Sequence, residues 1–198
     1  MTWVKVCGLT RASDVAVAVA AGADAIGFVS HPGSPRHVSL PAIAELAAGV
    51  AITRVILTVD LGVRAALAAV EATGVDAIQP YGPHAEAVAA AALAEGLMVL
   101  RPIPATEDVV MPDDGSIPLL DTPDDDVLGG TGRTFDWAVV RRLGGRFVLA
   151  GGLGPANVAT AIHEVRPWGV DASSGLEAAP GIKHPGKVAA FVQEAKRT

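Results

Sequence analysis

Short apolar runs alternate along the chain with Ala-rich stretches whose apolar positions recur at helical spacing. The pattern predicts strands over 3–7, 25–29, 54–59, 76–79, 97–101, 117–121, 147–150 and 169–172. Helices are predicted near 13–21, 41–48, 63–73, 84–95, 135–143, 155–165 and 185–196. The stretch 105–111, after the fifth strand, is too short and polar to be assigned a helix. Pro41, Pro155 and Pro185 suit first-turn positions, where a missing N–H costs nothing. Gly22, Gly74 and Gly96 suit the left-handed residue just past a helix end.

The strands recur at intervals of roughly 20–30 residues, the length that a strand, a crossover helix and two short loops require. Eight such units close a barrel, so the expected fold is α/β: a minimal single-domain (β/α)8 TIM barrel spanning residues 1–198. Two segments, Gly22-Ala-Asp-Ala-Ile26 and Gly74-Val-Asp-Ala-Ile78, read as equivalent joints between a helix end and a strand start. Gly169-Val-Asp-Ala172 looks similar, but Ser173-Ser174-Gly175 follows at once and places Asp171 near a strand end instead. An open doubly wound sheet is the alternative, although no Gly-x-Gly-x-x-Gly follows the first strand.

Composition narrows the picture. The 198 residues are 51% hydrophobic and 18% charged, enough for one core, and 22 glycines with 14 prolines fit many short elements joined by tight turns. A net charge of -6 argues against a nucleic-acid partner, so any anion must be held locally. The single cysteine excludes an internal disulfide, and no Cys/His cluster has zinc spacing, so a metal-free site in a reduced, cytoplasmic compartment is expected. Residues 1–7 show no signal-peptide pattern, and the longest uncharged run, 147–162, is broken by Gly, Pro and Asn, so no membrane partner is expected. Monomer and homodimer both remain open.

Several predicted strands end on a lone polar residue: Cys7, Ser30, Asp60, Gln79, Arg101, Asp121 and Asp171. In a (β/α)8 barrel these ends converge on one face, where such proteins place their chemistry.

Five blocks carry a family resemblance: Lys5-Val-Cys-Gly-Leu-Thr10; Gly27-Phe-Val29 with Ser34-Pro-Arg36; Asp121 with Gly129-Gly-Thr-Gly-Arg-Thr-Phe-Asp-Trp137; Ala150-Gly-Gly-Leu-Gly-Pro-Ala-Asn157; and Val170-Asp-Ala-Ser-Ser-Gly-Leu-Glu177 running into Pro180-Gly181. In this order the chain resembles the phosphoribosylanthranilate isomerases of tryptophan biosynthesis. The resemblance implies an Amadori-type rearrangement of a phosphosugar without a cofactor. It implies Asp121 as general acid, opening the ribose ring, and Cys7 as general base, removing the proton from the sugar's second carbon. The acid must begin protonated and the base as thiolate, against ordinary values of about 3.9 and about 8.5. Asp171 beside Asp121 would favour the first, and a cation from Lys5 or Arg36 the second.

The same resemblance assigns Arg36 to the anthranilate carboxylate, which a planar guanidinium can bind with two parallel hydrogen bonds. Gln79 and Asp171 are expected to touch substrate. The phosphate is expected at Gly130, Thr131, Gly132, Gly151, Gly152, Ser173, Ser174 and Gly175, turns after late strands whose amides can approach an anion. A short helix from Ser174 would add its positive end.

There are departures. Gln79-Pro-Tyr-Gly82 stands where the family usually has Gln-Leu-His-Gly after strand four, and 55–60 lacks the family's aromatic. These bear on the anthranilate pocket more than on proton transfer. The five histidines, His31, His37, His84, His163 and His184, fall in loops or on helix exteriors and receive no role. A histidine-pathway phosphoribosyl isomerase, alone or as a second activity, resembles a two-aspartate site instead. A lyase of the indole-glycerol-phosphate type would need a catalytic lysine and more acidic strand ends. A phosphosugar-binding barrel without turnover is the reading outside enzymes.

Overall fold

A computed structural model describes residues 1–106, 108–122 and 136–198. Eight parallel strands close a barrel in chain order: β1 (Trp3–Val6), β2 (Ala25–Val29), β3 (Thr53–Val59), β4 (Ala77–Tyr81), β5 (Met98–Pro104), β6 (Ile117–Asp121), β7 (Val148–Leu149) and β8 (Gly169–Ala172). The helices among the described residues are α1 (Ala12–Ala20), α2 (Leu40–Ala47), α3 (Val63–Thr73), α4 (Ala85–Ala94), α5 (Val158–Val165) and α6 (Pro185–Arg197). A small antiparallel hairpin, β9 (Glu177–Ala179) and β10 (Ile182–Lys183), follows β8. No helix among the described residues is long and apolar enough to cross a membrane.

Local signals explain most of these boundaries. Pro41 and Pro185 lie in the first turns of α2 and α6. Gly22, Gly74 and Gly96 take positive φ of 86°, 62° and 76° after α1, α3 and α4. Pro155 differs: it precedes α5 in a turn whose Gly154 carbonyl accepts from the Asn157 and Val158 amides. The two Gly-x-Asp-Ala-Ile joints are equivalent, because Asp24 accepts the Val4 amide at 2.7 Å and Asp76 the Arg54 amide at 2.9 Å. Each carboxylate thus ties the start of its strand to the strand before it. Asp171 lies inside β8 and plays no such part. Of the helix expected over 135–143, the described part is a three-residue 3-10 turn, Trp137–Val139.

Strands β4 and β5 run further than their prolines suggest. The Asp60 amide donates to the Tyr81 carbonyl, so alternation turns the backbone polar groups of Tyr81 toward β3 and those of Pro80 toward β5. The Ala105 amide donates to the Asp121 carbonyl, which turns Pro102 and Pro104 toward β4. All three missing N–H groups therefore face one seam, and there β4 and β5 pair only at Ala77 with Met98 and Ile78 with Val99. The prolines end pairing across a seam without ending either strand.

Side chains alternate between the barrel interior and the helices. Interior Ala25, Val55, Ala77, Leu100, Ile117, Leu119, Val148 and Ala150 form one apolar cluster, closed at the amino-terminal end by Trp3, Met98 and Trp168. Trp3 and Trp168 stack with centroids 5.0 Å apart, and the Arg146 guanidinium lies 4.0 Å over the Trp168 ring. Outward residues such as Val4, Ile26, Phe28 and Ile56 join the helices in the main core.

Candidate active site

Above that apolar plug lies a polar layer. Lys5, fully buried, points inward from β1 and donates to Asp171 Oδ2 at 2.8 Å and to Gln79 Oε1 at 2.9 Å. Gln79 Nε2 donates in turn to the Tyr81 phenol at 2.9 Å. Among the described residues Asp171 Oδ1 is buried without a hydrogen-bond partner. Burial opposes the Lys5 charge, but Asp171 and Cys7 outweigh it and hold the ammonium above its ordinary pKa.

Cys7 follows β1, its amide donating to the Ala172 carbonyl at 2.9 Å, and packs with Val29, Leu57 and Tyr81 in the next layer up. It is 5% exposed. Burial pushes its thiol above the ordinary value, while Lys5 beside it pulls the other way. Gly27 makes the arrangement possible: a Cβ there would sit 2.8 Å from Cys7 Sγ and 3.1 Å from Lys5 Cε. Burial, with Asp121, Cys7 and Asp171 nearby, pushes the Tyr81 phenol well above its ordinary pKa. Asp121 ends β6 at the same carboxyl-terminal face, its Oδ1 accepting the Thr122 amide at 2.8 Å.

The remaining strand ends divide. Gln79 and Asp171 meet through Lys5, so Asp171 serves as the lysine's counterion rather than as a lone charge beside Asp121. Arg101 does not join them: alternation along β5 turns it outward, where it pairs with Asp114 at 2.6 Å and Glu86 at 3.5 Å. Asp60 lies against Gly82.

Arg36 is gripped by Glu177, with Nε donating to Oε1 at 2.7 Å and Nη2 to Oε2 at 2.9 Å. It is therefore not the cation beside the thiol; Lys5 is. Buried Lys183 adds a second cation to Glu177 at 3.1 Å and donates to the Ser173 carbonyl at 3.0 Å. Burial alone would raise the Glu177 pKa, but Arg36 and Lys183 hold it below its ordinary value; burial likewise lowers Lys183. The sequence reading missed Glu177 and Lys183, although Pro180-Gly181 marked the hairpin turn that brings them together.

Beyond β7 and β8 a cavity of about 400 Å³ is lined by Gly152, Gly154, Asn157, Gly175 and Lys187. Gly151, Gly152, Ser173, Ser174 and Gly175 all lie in these two loops, and the expected helix from Ser174 is a three-residue 3-10 turn, Ser174–Leu176. Lys187, which also donates to the Glu177 carbonyl at 2.8 Å, is a cation that the sequence reading did not anticipate. Gly130, Thr131 and Gly132 lie outside the described residues. Among the described residues no group of His, Cys, Asp and Glu could hold a metal ion.

A closed parallel barrel with reactive side chains gathered at the carboxyl-terminal strand ends defines a (β/α)8-barrel enzyme. The family model for N-(5'-phosphoribosyl)anthranilate (PRA) isomerase matches residues 4–194. The N-(5'-phosphoribosyl)anthranilate isomerase of Azorhizobium caulinodans is 42% identical over 98% of this chain and 91% of its own. The crystal structure of TrpF from Jonesia denitrificans superposes with a TM-score of 0.86 at 43% identity, covering 99% of this chain and 97% of the other. A phosphoribosyl anthranilate isomerase crystallised with reduced 1-(o-carboxyphenylamino)-1-deoxyribulose 5-phosphate superposes at 0.83 with 31% identity over the whole of both chains. The chain belongs to the N-(5'-phosphoribosyl)anthranilate isomerase family of tryptophan biosynthesis.

Proposed function

We propose that residues 1–198 act as one catalytic barrel that converts N-(5'-phosphoribosyl)anthranilate into 1-(2-carboxyphenylamino)-1-deoxyribulose 5-phosphate, with Asp121 as general acid and Cys7 as general base. The observation that carries this reading is the placement of the thiol and the carboxyl group at the carboxyl-terminal ends of β1 and β6, with a buried ammonium beside the sulfur.

The protonated carboxyl of Asp121 gives its proton to the ribose ring oxygen as the bond from that oxygen to the first carbon breaks. The anthranilate nitrogen's lone pair forms the C=N bond of the resulting iminium. The Cys7 thiolate then takes the proton from the second carbon. Its bonding pair becomes the C=C bond of an enolamine and neutralises the nitrogen. Protonation at the first carbon, with loss of the hydroxyl proton on the second, yields the ketone. No atom is gained or lost. Burial makes the thiolate scarce but strongly basic, and Lys5 stabilises the anion when it forms.

The phosphate is assigned to the loops after β7 and β8, where Gly152, Gly175 and Lys187 line one cavity and Gly151, Ser173 and Ser174 lie in the same loops. Gly130, Thr131 and Gly132 are assigned to it by resemblance alone. Arg36 Nη1 carries no hydrogen bond among the described residues and is assigned to the anthranilate carboxylate. The related isomerase crystallised with a reduced form of this product supports the substrate class.

Purified protein assayed with phosphoribosylanthranilate and, separately, with the histidine-pathway phosphoribosyl substrate is expected to turn over the first. Cys7→Ala and Asp121→Asn are each expected to lower kcat by about a thousandfold or more while the purified variants still unfold cooperatively. Turnover retained in either variant overturns the assignment of acid and base, and turnover of only the second substrate overturns the function.

A further inference from the structure

The hydrogen bonds of the buried polar layer run in one direction. An ammonium can only donate, so Lys5 fixes the Gln79 amide with Oε1 toward itself and Nε2 toward Tyr81. Nε2 also can only donate, so the phenolic oxygen of Tyr81 is an acceptor in that bond. Its own O–H therefore has to point elsewhere, and among the described residues Gln79 is the phenol's one hydrogen-bond partner. The ring leaves β4 on the inner side, as Gln79 does, and packs in the same layer as Cys7. That proton is left without an acceptor among the described residues, and burial beside Asp121, Cys7 and Asp171 keeps it on the oxygen throughout the neutral range.

We propose that Tyr81 is a substrate-binding, specificity-determining residue of this chain, whose O–H donates a hydrogen bond to the oxygen on the sugar's second carbon. That carbon is the one Cys7 deprotonates, which is why a donor in the thiol's own layer reaches its oxygen. The oxygen can accept at every stage, as a hydroxyl in the substrate and as a carbonyl in the product. Lys5 and Gln79 act through Tyr81 as positioning residues. This inference deepens the functional reading above and rests on it.

Tyr81 is the chain's only tyrosine, so its ring carbon bearing oxygen gives a single resonance in protein made with 13Cζ-tyrosine. The probe is reduced 1-(o-carboxyphenylamino)-1-deoxyribulose 5-phosphate, which has a hydroxyl on that carbon. Adding it to the labelled wild type is expected to shift the resonance. Tyr81→Phe, which keeps the ring and removes one O–H, is expected to lower kcat/KM for phosphoribosylanthranilate about tenfold, mainly through KM, and to weaken the probe by a similar factor, the range of one neutral hydrogen bond.

A resonance unmoved by saturating probe overturns the inference, as does a Tyr81→Phe enzyme whose kcat/KM stays within twofold of wild type. A loss of kcat/KM without any shift assigns Tyr81 a structural role and equally overturns it. A wild type that does not convert phosphoribosylanthranilate at all overturns the functional reading and this inference together. Wild-type turnover beside an unaffected variant overturns this inference alone.

Discussion

The two ends of the barrel are built from the same eight strands and do opposite things with their inward-facing positions. At the amino-terminal end the interior is apolar and shut, with Trp3 stacked on Trp168 and Arg146 capping the indole from outside. At the carboxyl-terminal end the corresponding positions carry Lys5, Gln79, Asp171, Cys7, Tyr81 and Asp121. One end gains stability from burying hydrocarbon. The other buries charge, which is favourable only while every partner is in place. The lesson is that a closed sheet separates stability from chemistry along its axis, so changes at the two ends should move different observables.

The largest expected effect comes from breaking the layer between them. Lys5→Met leaves the Asp171 carboxylate buried without its cation, and should cost about 3–5 kcal/mol in chemical denaturation. Lys5→Met with Asp171→Asn should recover part of that loss, because the unpaired charge is gone. No recovery would mean that packing, not charge, dominates the layer. At the shut end, Trp168→Ala should cost about 3 kcal/mol by removing a stacked, half-buried indole, yet leave kcat/KM within twofold. A large fall in kcat/KM with the fold retained would show that the two ends are coupled through the barrel.

How much of this was readable in the sequence follows the same axis. The eight strands, six of the seven expected helices and the shared face of Cys7 and Asp121 could be read because apolar periodicity and strand-end polarity are local signals. Arg101 was misplaced because it was taken for a strand end. β5 runs on through Pro102 to Pro104, and at position 101 alternation faces the helices. The predicted strands stop at 79 and 101, short of Pro80 and Pro102, because the open seam these prolines line exists only after eight strands have closed. Lys5 and Asp171 are 166 residues apart, and only the pairing of β1 with β8 makes them neighbours. For Arg36 the residue was legible and its partner was not, since Glu177 reaches it from a hairpin, β9 with β10, that the strand pattern does not show.

The smallest effect sharpens the comparison at the open end through pH. The folded state favours the neutral Cys7 thiol, so its folded pKa lies above the unfolded one. The stability this contributes is fully present below the ordinary thiol pKa and is lost as pH rises through the raised folded value. Burial and Asp171 disfavour the anion while Lys5 and Lys183 favour it, and burial prevails. The difference in unfolding free energy between wild type and Cys7→Ala isolates it and should shrink as pH rises past the ordinary thiol value. Because Cys7 is the only cysteine, its alkylation by iodoacetamide can be followed by mass alone. The midpoint of rate against pH should lie above that of a free thiol, and should rise further in Lys5→Met, where the nearest cation is gone. Trp168→Ala, at the end where Arg146 is the charge against the indole, should leave that midpoint where it is. A midpoint below the free-thiol value in the wild type would mean that Lys5 outweighs burial, so that the base stands ready as thiolate before any substrate arrives.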